Sequence, residues 1–214
     1  MTGLQTTGGR RLRRHSPRDF DAVALGRLET RAWAAYYRRE WGTALRAFVG
    51  MVDAGFGLGP RLTLVAAWHI LRANQAWAPV PHNDPDAARA SMRRFYELVR
   101  QHSALTFDPA RAATLEVEWW RIHRAHQRGA SAEDAPTRDD LERALIDLYS
   151  HVYSAPRESM AAAARWRAEA MDHSDAWVAA GRHLADPRLA AERRALVASY
   201  SALLDAVSRI PAGA

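Results

Sequence analysis

Apolar residues recur along this chain at intervals of three and four, the spacing of one face of an α-helix, and Val, Ile and Thr nowhere cluster with period two. The pattern predicts helices over about 19–54 with a break near Gly42, then 60–78, 84–103, 108–127, 138–153, 157–181 and 187–209, with boundaries good to about three residues. Punctuation agrees with it. Asp84-Pro85, Asp108-Pro109 and Asp186-Pro187 each read as an N-cap followed by proline in the first turn. Ser16-Pro17 offers a further start, and Thr137 with Asp140 three residues on has the form of a capping box. No Asn-Gly or Asp-Gly hairpin signal occurs. The expectation is an all-α fold: a single-domain antiparallel helical bundle of about seven helices over 19–214, preceded by a disordered basic tail over 1–18. Gly129 to Pro136 reads as a solvated loop.

One segment is patterned differently from the rest. Between Arg61 and Trp77 apolar residues occupy nearly every direction of the helical wheel, which predicts a helix enclosed on most sides and central to the bundle. Its polar members His69, Arg72, Asn74 and Gln75 would then be partly buried and in need of partners.

Other helices carry polar groups inside their apolar arcs. In Leu115–His126, Ala112, Leu115, Trp119, Trp120 and Ile122 define the arc, and Glu116, His123 and His126 fall within it. On the first helix Leu25, Leu28, Ala32, Trp33 and Tyr36 form the arc that also holds Glu29 and Glu40. On the 157–181 helix Trp166, Ala170 and Trp177 mark an inner face with His173 among them and Glu169 at its edge. A buried carboxylate or imidazole is costly without a partner, so these positions are where chemistry is expected.

Composition narrows the chemistry. The chain has 214 residues and no cysteine, which excludes disulfides, thiolate metal sites and cysteine nucleophiles. All thirty basic residues are arginine, so lysine Schiff-base and Walker-type chemistry is excluded too. The net charge of +6 would suggest nucleic acid, but residues 1–18 hold five arginines and no acid, leaving 25 arginines against 24 acids elsewhere. A solvated tail is the simpler reading, and nucleic acid is not the expected partner. The N-terminus lacks the apolar stretch of a secretory signal, and Arg46, Asp53, Arg61, His69 and Arg72 interrupt the apolar region from Trp41 to Trp77. A cytoplasmic protein with no transmembrane segment is expected. The glycines of Gly55–Pro60 read as a helix stop rather than a phosphate loop, Asp139-Asp140 as helix N-terminal charge, and no Gly-x-Ser-x-Gly elbow is present.

Two functional readings follow. In the first, the inward groups form a small-molecule pocket lined by Tyr36, Arg72, Trp119, Trp120 and His126. Six of the eight tryptophans, Trp33, Trp68, Trp119, Trp120, Trp166 and Trp177, lie on or near inward arcs and would supply aromatic walls. A metal-dependent oxidative version has Glu29, His69, Glu116, His123, Glu169 and His173 as ligands to iron or manganese. The spacing Glu116-x6-His123 resembles one used by heme-oxygenase-like di-iron oxidases, which are similar in helix count and length. That resemblance covers two residues, and the His-x3-Asp-x2-His element of the family is absent, so no family is assigned on it. In the second reading the polar cluster is purely structural and the chain is a non-enzymatic protein-interaction domain.

Overall fold

The Asp-Pro steps start three helices as the sequence predicts. Asp84 accepts a hydrogen bond from the Ala87 backbone N–H at 2.9 Å, Asp108 from Ala110 at 3.0 Å and Asp186 from Arg188 at 2.9 Å. Each satisfies one amide that a helix N-terminus leaves without an internal partner. Thr137 and Asp140 form the reciprocal capping box. Ser16 instead closes a short turn with Asp19, and the first helix begins at Ala22, capped by Asp21.

The computed structural model describes residues 16–128 and 135–209, so the predicted basic tail, apart from residues 16–18, and most of the predicted Gly129–Pro136 loop lie outside the described residues. Among these residues there are eight helices: α1 (Ala22–Arg38), α2 (Trp41–Phe56), α3 (Pro60–Trp77), α4 (Pro85–Gln101), α5 (Pro109–Arg128), α6 (Arg138–Tyr153), α7 (Arg157–Ala179) and α8 (Pro187–Ser208). None forms a β-strand, and none of the helices is long and apolar enough to cross a membrane. The chain is all-α. The expected seven becomes eight because the 19–54 helix divides, at Arg39-Glu40, within three residues of the Gly42 region where a break is expected. Arg39 adopts a left-handed φ of 62°, and the Glu40 N–H donates to the Ala35 carbonyl at 2.8 Å, which ends α1 and leaves Gly42 inside the first turn of α2.

Each helix packs on the next in sequence, and α8 returns to pack on α1, so the order of packing closes on itself. Small residues allow the closest approaches. A methyl group on Gly26 of α1 would stand 2.6 Å from the Val197 side chain of α8 and 2.8 Å from its backbone nitrogen. Along α7 and α8, Ala163, Ala164, Ala168, Ala170 and Ala195 are buried, and the Ser199 hydroxyl donates across to the Ala163 carbonyl at 2.8 Å.

This ring corrects the expectation that α3 is central. Thr63, Ala66, Ala67, Leu71, Ala73 and Trp77 face inward, but Leu64, Val65 and Trp68 are about half exposed and Arg72 is exposed. Alanine carries the inward packing of α3, so its bulky residues on the opposite side gave the false look of enclosure. No helix takes the middle. A cavity lies there instead.

Candidate ligand cavity

Side chains from all eight helices line one cavity of about 530 Å³. Its apolar walls include Phe48 and Val52 from α2, Met92 and Phe95 from α4, Val152 from α6 and Leu203 from α8. Trp33, Trp77, Trp119 and Trp120 add aromatic surface. Against this background a few polar groups converge, the usual composition of a small-molecule pocket.

Glu29 on α1 is the best-held of them. Arg167 of α7 grips both of its oxygens, one N–H···O contact measuring 3.0 Å, and the Tyr200 hydroxyl of α8 donates to it at 2.5 Å. The Arg167 guanidinium also lies 5.7 Å from the Trp33 ring centre and 5.5 Å from that of Trp119. Burial works against its charge, but Glu29, Tyr149 and Tyr200 together outweigh it and keep Arg167 protonated. A planar fork meeting a carboxylate with two parallel bonds is the pairing that survives desolvation.

Glu116 on α5 is held differently. Its two oxygens accept from the Tyr96 hydroxyl at 2.7 Å and from the Trp120 indole N–H at 3.1 Å, both neutral donors. Burial pushes its carboxyl above the usual range, although Tyr96, the charge of Arg167 and Trp120 all act to lower it. Burial and the adjacent Glu116 carry the Tyr96 phenol well above its ordinary value, so it remains a donor. A carboxyl of raised pKa facing a largely apolar cavity has the environment of a proton-exchanging group.

His123, about two turns further along α5, completes this wall. Its Nε2 lies 3.1 Å and 3.2 Å from the two oxygens of Asp175 on α7, and its ring stacks with Trp33 at 6.5 Å between centres. Gln127 donates to the same Asp175 at 2.6 Å. Next along, Arg124 donates to the Trp77 carbonyl at 2.7 Å and to the Tyr36 hydroxyl at 3.3 Å, with its guanidinium 4.1 Å from the Trp77 ring centre.

The predicted site residues separate cleanly. Glu29, Tyr36, Glu116, Trp119, Trp120 and His123 all line the cavity. Arg72 does not: it is exposed and its hydrogen bond goes to Gln75, because the face of α3 that carries it points away from the ring. His69, on the same helix, feels Arg94 and Glu97 of α4 rather than the cavity groups. His126 bonds through Nδ1 to the Pro136 carbonyl at 2.9 Å, outside the lining. Glu169 and His173 face each other at 3.9 Å, more than a third exposed, because the inner face of α7 runs through Met160, Ala164, Arg167, Met171 and Ser174 instead. Trp166, read as inward, is exposed for the same reason. Glu40 pairs with Arg38 at 2.7 Å near the surface.

The ligand set expected for iron or manganese is therefore not brought together. Three of its six members are elsewhere, Glu29 is committed to Arg167, and among the described residues no group of three or more His, Asp or Glu side chains is placed to hold a metal ion. Reading the sequence missed Arg167, Tyr96, Tyr149, Tyr200, Arg124 and Asp175. Arg167 carried a signal in retrospect: it is the one charged residue in the row Met160, Ala164, Arg167 and Met171, and a lone arginine in such a row calls for a buried acid on a facing helix. No family model, curated protein or solved structure matches the chain.

Proposed function

We propose that this chain is a small-molecule-binding protein, an antiparallel helical bundle whose eight helices surround a site for one largely apolar organic ligand. The observation that carries this reading is the cavity of about 530 Å³ with Glu116, the Glu29–Arg167 pair and four tryptophans on its walls. That volume lies in the range of sites that enclose drug-sized molecules. The alternative of a purely structural polar cluster is weaker. Such a cluster satisfies its members by packing them on one another, whereas here each acid is satisfied separately and presents its surroundings to a shared space. Glu116 makes a proton-transfer role at the bound molecule the natural enzymatic form of the proposal, with Tyr96 and Trp120 holding its oxygens. For the metal-dependent form no ligand set is brought together among the described residues.

A thermal-unfolding screen against apolar small molecules tests the proposal. Ligands of the cavity raise the midpoint by several degrees and quench tryptophan fluorescence saturably. Ala32 lines the cavity and is fully buried, so Ala32→Leu fills ligand space and abolishes binding. Saturable binding that survives Ala32→Leu unchanged would place the ligand elsewhere and sink the proposal.

A further inference from the structure

The charge on the cavity wall is lopsided, and the excess sits at one end. Five arginines line the cavity, Arg39, Arg124, Arg128, Arg167 and Arg182, against only two carboxylates, Glu29 and Glu116. Arg167 is matched by Glu29. The other four come from the C-terminal ends of α1 and α5 and from the turn after α7, and Arg39, Arg128 and Arg182 are exposed there. No acid lines this rim. Two acids on the adjoining elements are already engaged, Asp175 by His123 and Gln127 and Glu40 by Arg38.

The rim is also built, not merely populated. Arg124 is fixed by the Trp77 carbonyl and the Tyr36 hydroxyl, both through Nη2, and by the Trp77 ring, while its Nη1 is buried without a hydrogen-bond partner among the described residues. A buried guanidinium N–H without an acceptor is costly, more so with Arg128 one turn along the same helix. Burial lowers the Arg124 pKa, and Arg128 adds to that fall while Tyr36 opposes it, so the site lacks negative charge. Arg39 and Arg182 occupy left-handed backbone at φ 62° and 63°, positions that glycine would take without strain. Their side chains are tied across the same end of α1, Arg39 donating to the Ala78 carbonyl at 2.7 Å and Arg182 to the Tyr37 carbonyl at 3.3 Å. Arginine at two such positions keeps charge at the mouth where backbone preference alone would place none.

We infer that this arginine rim holds the carboxylate head of an amphipathic acid, with Arg124 Nη1 donating to it and the apolar body lying in the cavity. The inference rests on the cavity binding a small organic molecule, and it names the class: monocarboxylic acids with an aliphatic or aromatic body. Recognition by a planar fork and neighbouring arginines supplies orientation, and the aromatic and aliphatic walls supply most of the burial.

Matched pairs test it by isothermal titration on the full chain at pH 8: dodecanoate against dodecanol, and naphthaleneacetate against naphthaleneethanol. At least one acid is expected to bind about tenfold or more tightly than its alcohol, with an affinity that falls as salt rises. Arg124→Gln removes that preference while leaving alcohol binding within about twofold. Arg128 has no side-chain hydrogen bond among the described residues, so Arg128→Gln keeps the fold intact should Arg124→Gln disturb it, and it weakens the acid about threefold. Equal binding of acid and alcohol overturns the rim inference while leaving the cavity reading standing. Binding of neither member of either pair to folded protein overturns both.

Discussion

Two buried regions of this molecule treat a carboxyl group in opposite ways. At the floor of the cavity, Glu29 receives two arginine N–H groups and a tyrosine hydroxyl. On α8, Glu192 is fully buried, and neither oxygen has a hydrogen-bond partner among the described residues. The same is true of the buried hydroxyl of Ser174 on α7, the helix packed against α8. The first region has the partners to hold a charge out of water, and the second has none. Burial, with smaller contributions from Glu29 and Asp175, pushes Glu192 up to about 9, so at neutral pH it is a neutral acid. Both acids are equally buried, so burial alone does not separate them. The partner does, and Arg167 makes the difference.

The most severe way to break this contrast is to remove that partner. Arg167→Met leaves Glu29 buried with only Tyr200, and an orphaned buried charge costs about 3–5 kcal/mol. Chemical denaturation at pH 7 should show a loss of that order, whereas the double variant Glu29→Leu/Arg167→Met should recover most of it. If the single variant were as stable as the wild type, Glu29 would not depend on its arginine, and the contrast with Glu192 would vanish. The second test supplies Glu192 with permanent neutrality. A carboxyl whose pKa rises from 4.5 unfolded to about 9 folded contributes stability that is whole below pH 4.5 and is lost progressively as pH climbs to about 9. Glu192→Gln removes that loss. It should stabilise the protein by roughly 2–4 kcal/mol at pH 8, with little effect at pH 4. A variant no more stable at pH 8 than at pH 4, relative to wild type, would show that Glu192 ionises with partners.

A geometric prediction sits between these and the weakest one. Glu29 and Tyr200 meet because α1 and α8 approach closely at Gly26, where an added methyl would strike Val197 side chain and backbone together. Gly26→Ala gains helix propensity yet should destabilise by about 1–3 kcal/mol, since backbone cannot yield as a flexible side chain can. Thermal unfolding reads it directly, and a stabilised variant would mean the two helices have room to spare.

The helices were legible from sequence because capping and proline act locally. Asp84, Asp108, Asp186 and Thr137 behave as their neighbours dictate, whatever packs around them. Half of the cavity was legible for a related reason: on α1 and α5 the inward arcs are marked by large side chains such as Trp33 and Trp119, so Glu29, Glu116 and His123 stood out against them. On α3 and α7 alanine makes up about half of the buried positions, and the large residues Trp68 and Trp166 point outward. Residue size then misreports direction, which is why the pattern sets His69, Arg72, Glu169 and His173 inward and gives Arg167 no mark. Packing of helix on helix at close range favours small residues, and small residues carry little signal in a hydrophobic pattern. Where the helices lie closest together, the sequence is least informative about which side faces in.

Glu116 offers the finest test of the contrast, because it stands between the two extremes with two neutral donors and no cation of its own. Tyr96→Phe takes one donor away and moves Glu116 toward the condition of Glu192. The Tyr96 hydroxyl now lowers the Glu116 pKa against the larger effect of burial, so its loss must raise that pKa further. Because the folded value already exceeds the unfolded 4.5, the interval over which stability falls with pH should extend upward in the variant. Below pH 4.5 both forms keep the acid largely neutral, and the cost should be only the lost hydrogen bond, about 1 kcal/mol. Carbon-detected NMR of the Glu116 side-chain carboxyl reads the titration directly. A downward shift, or none, would mean that Trp120 and Arg167 hold the group unaided, and that the ordering of these three acids by their donors is wrong.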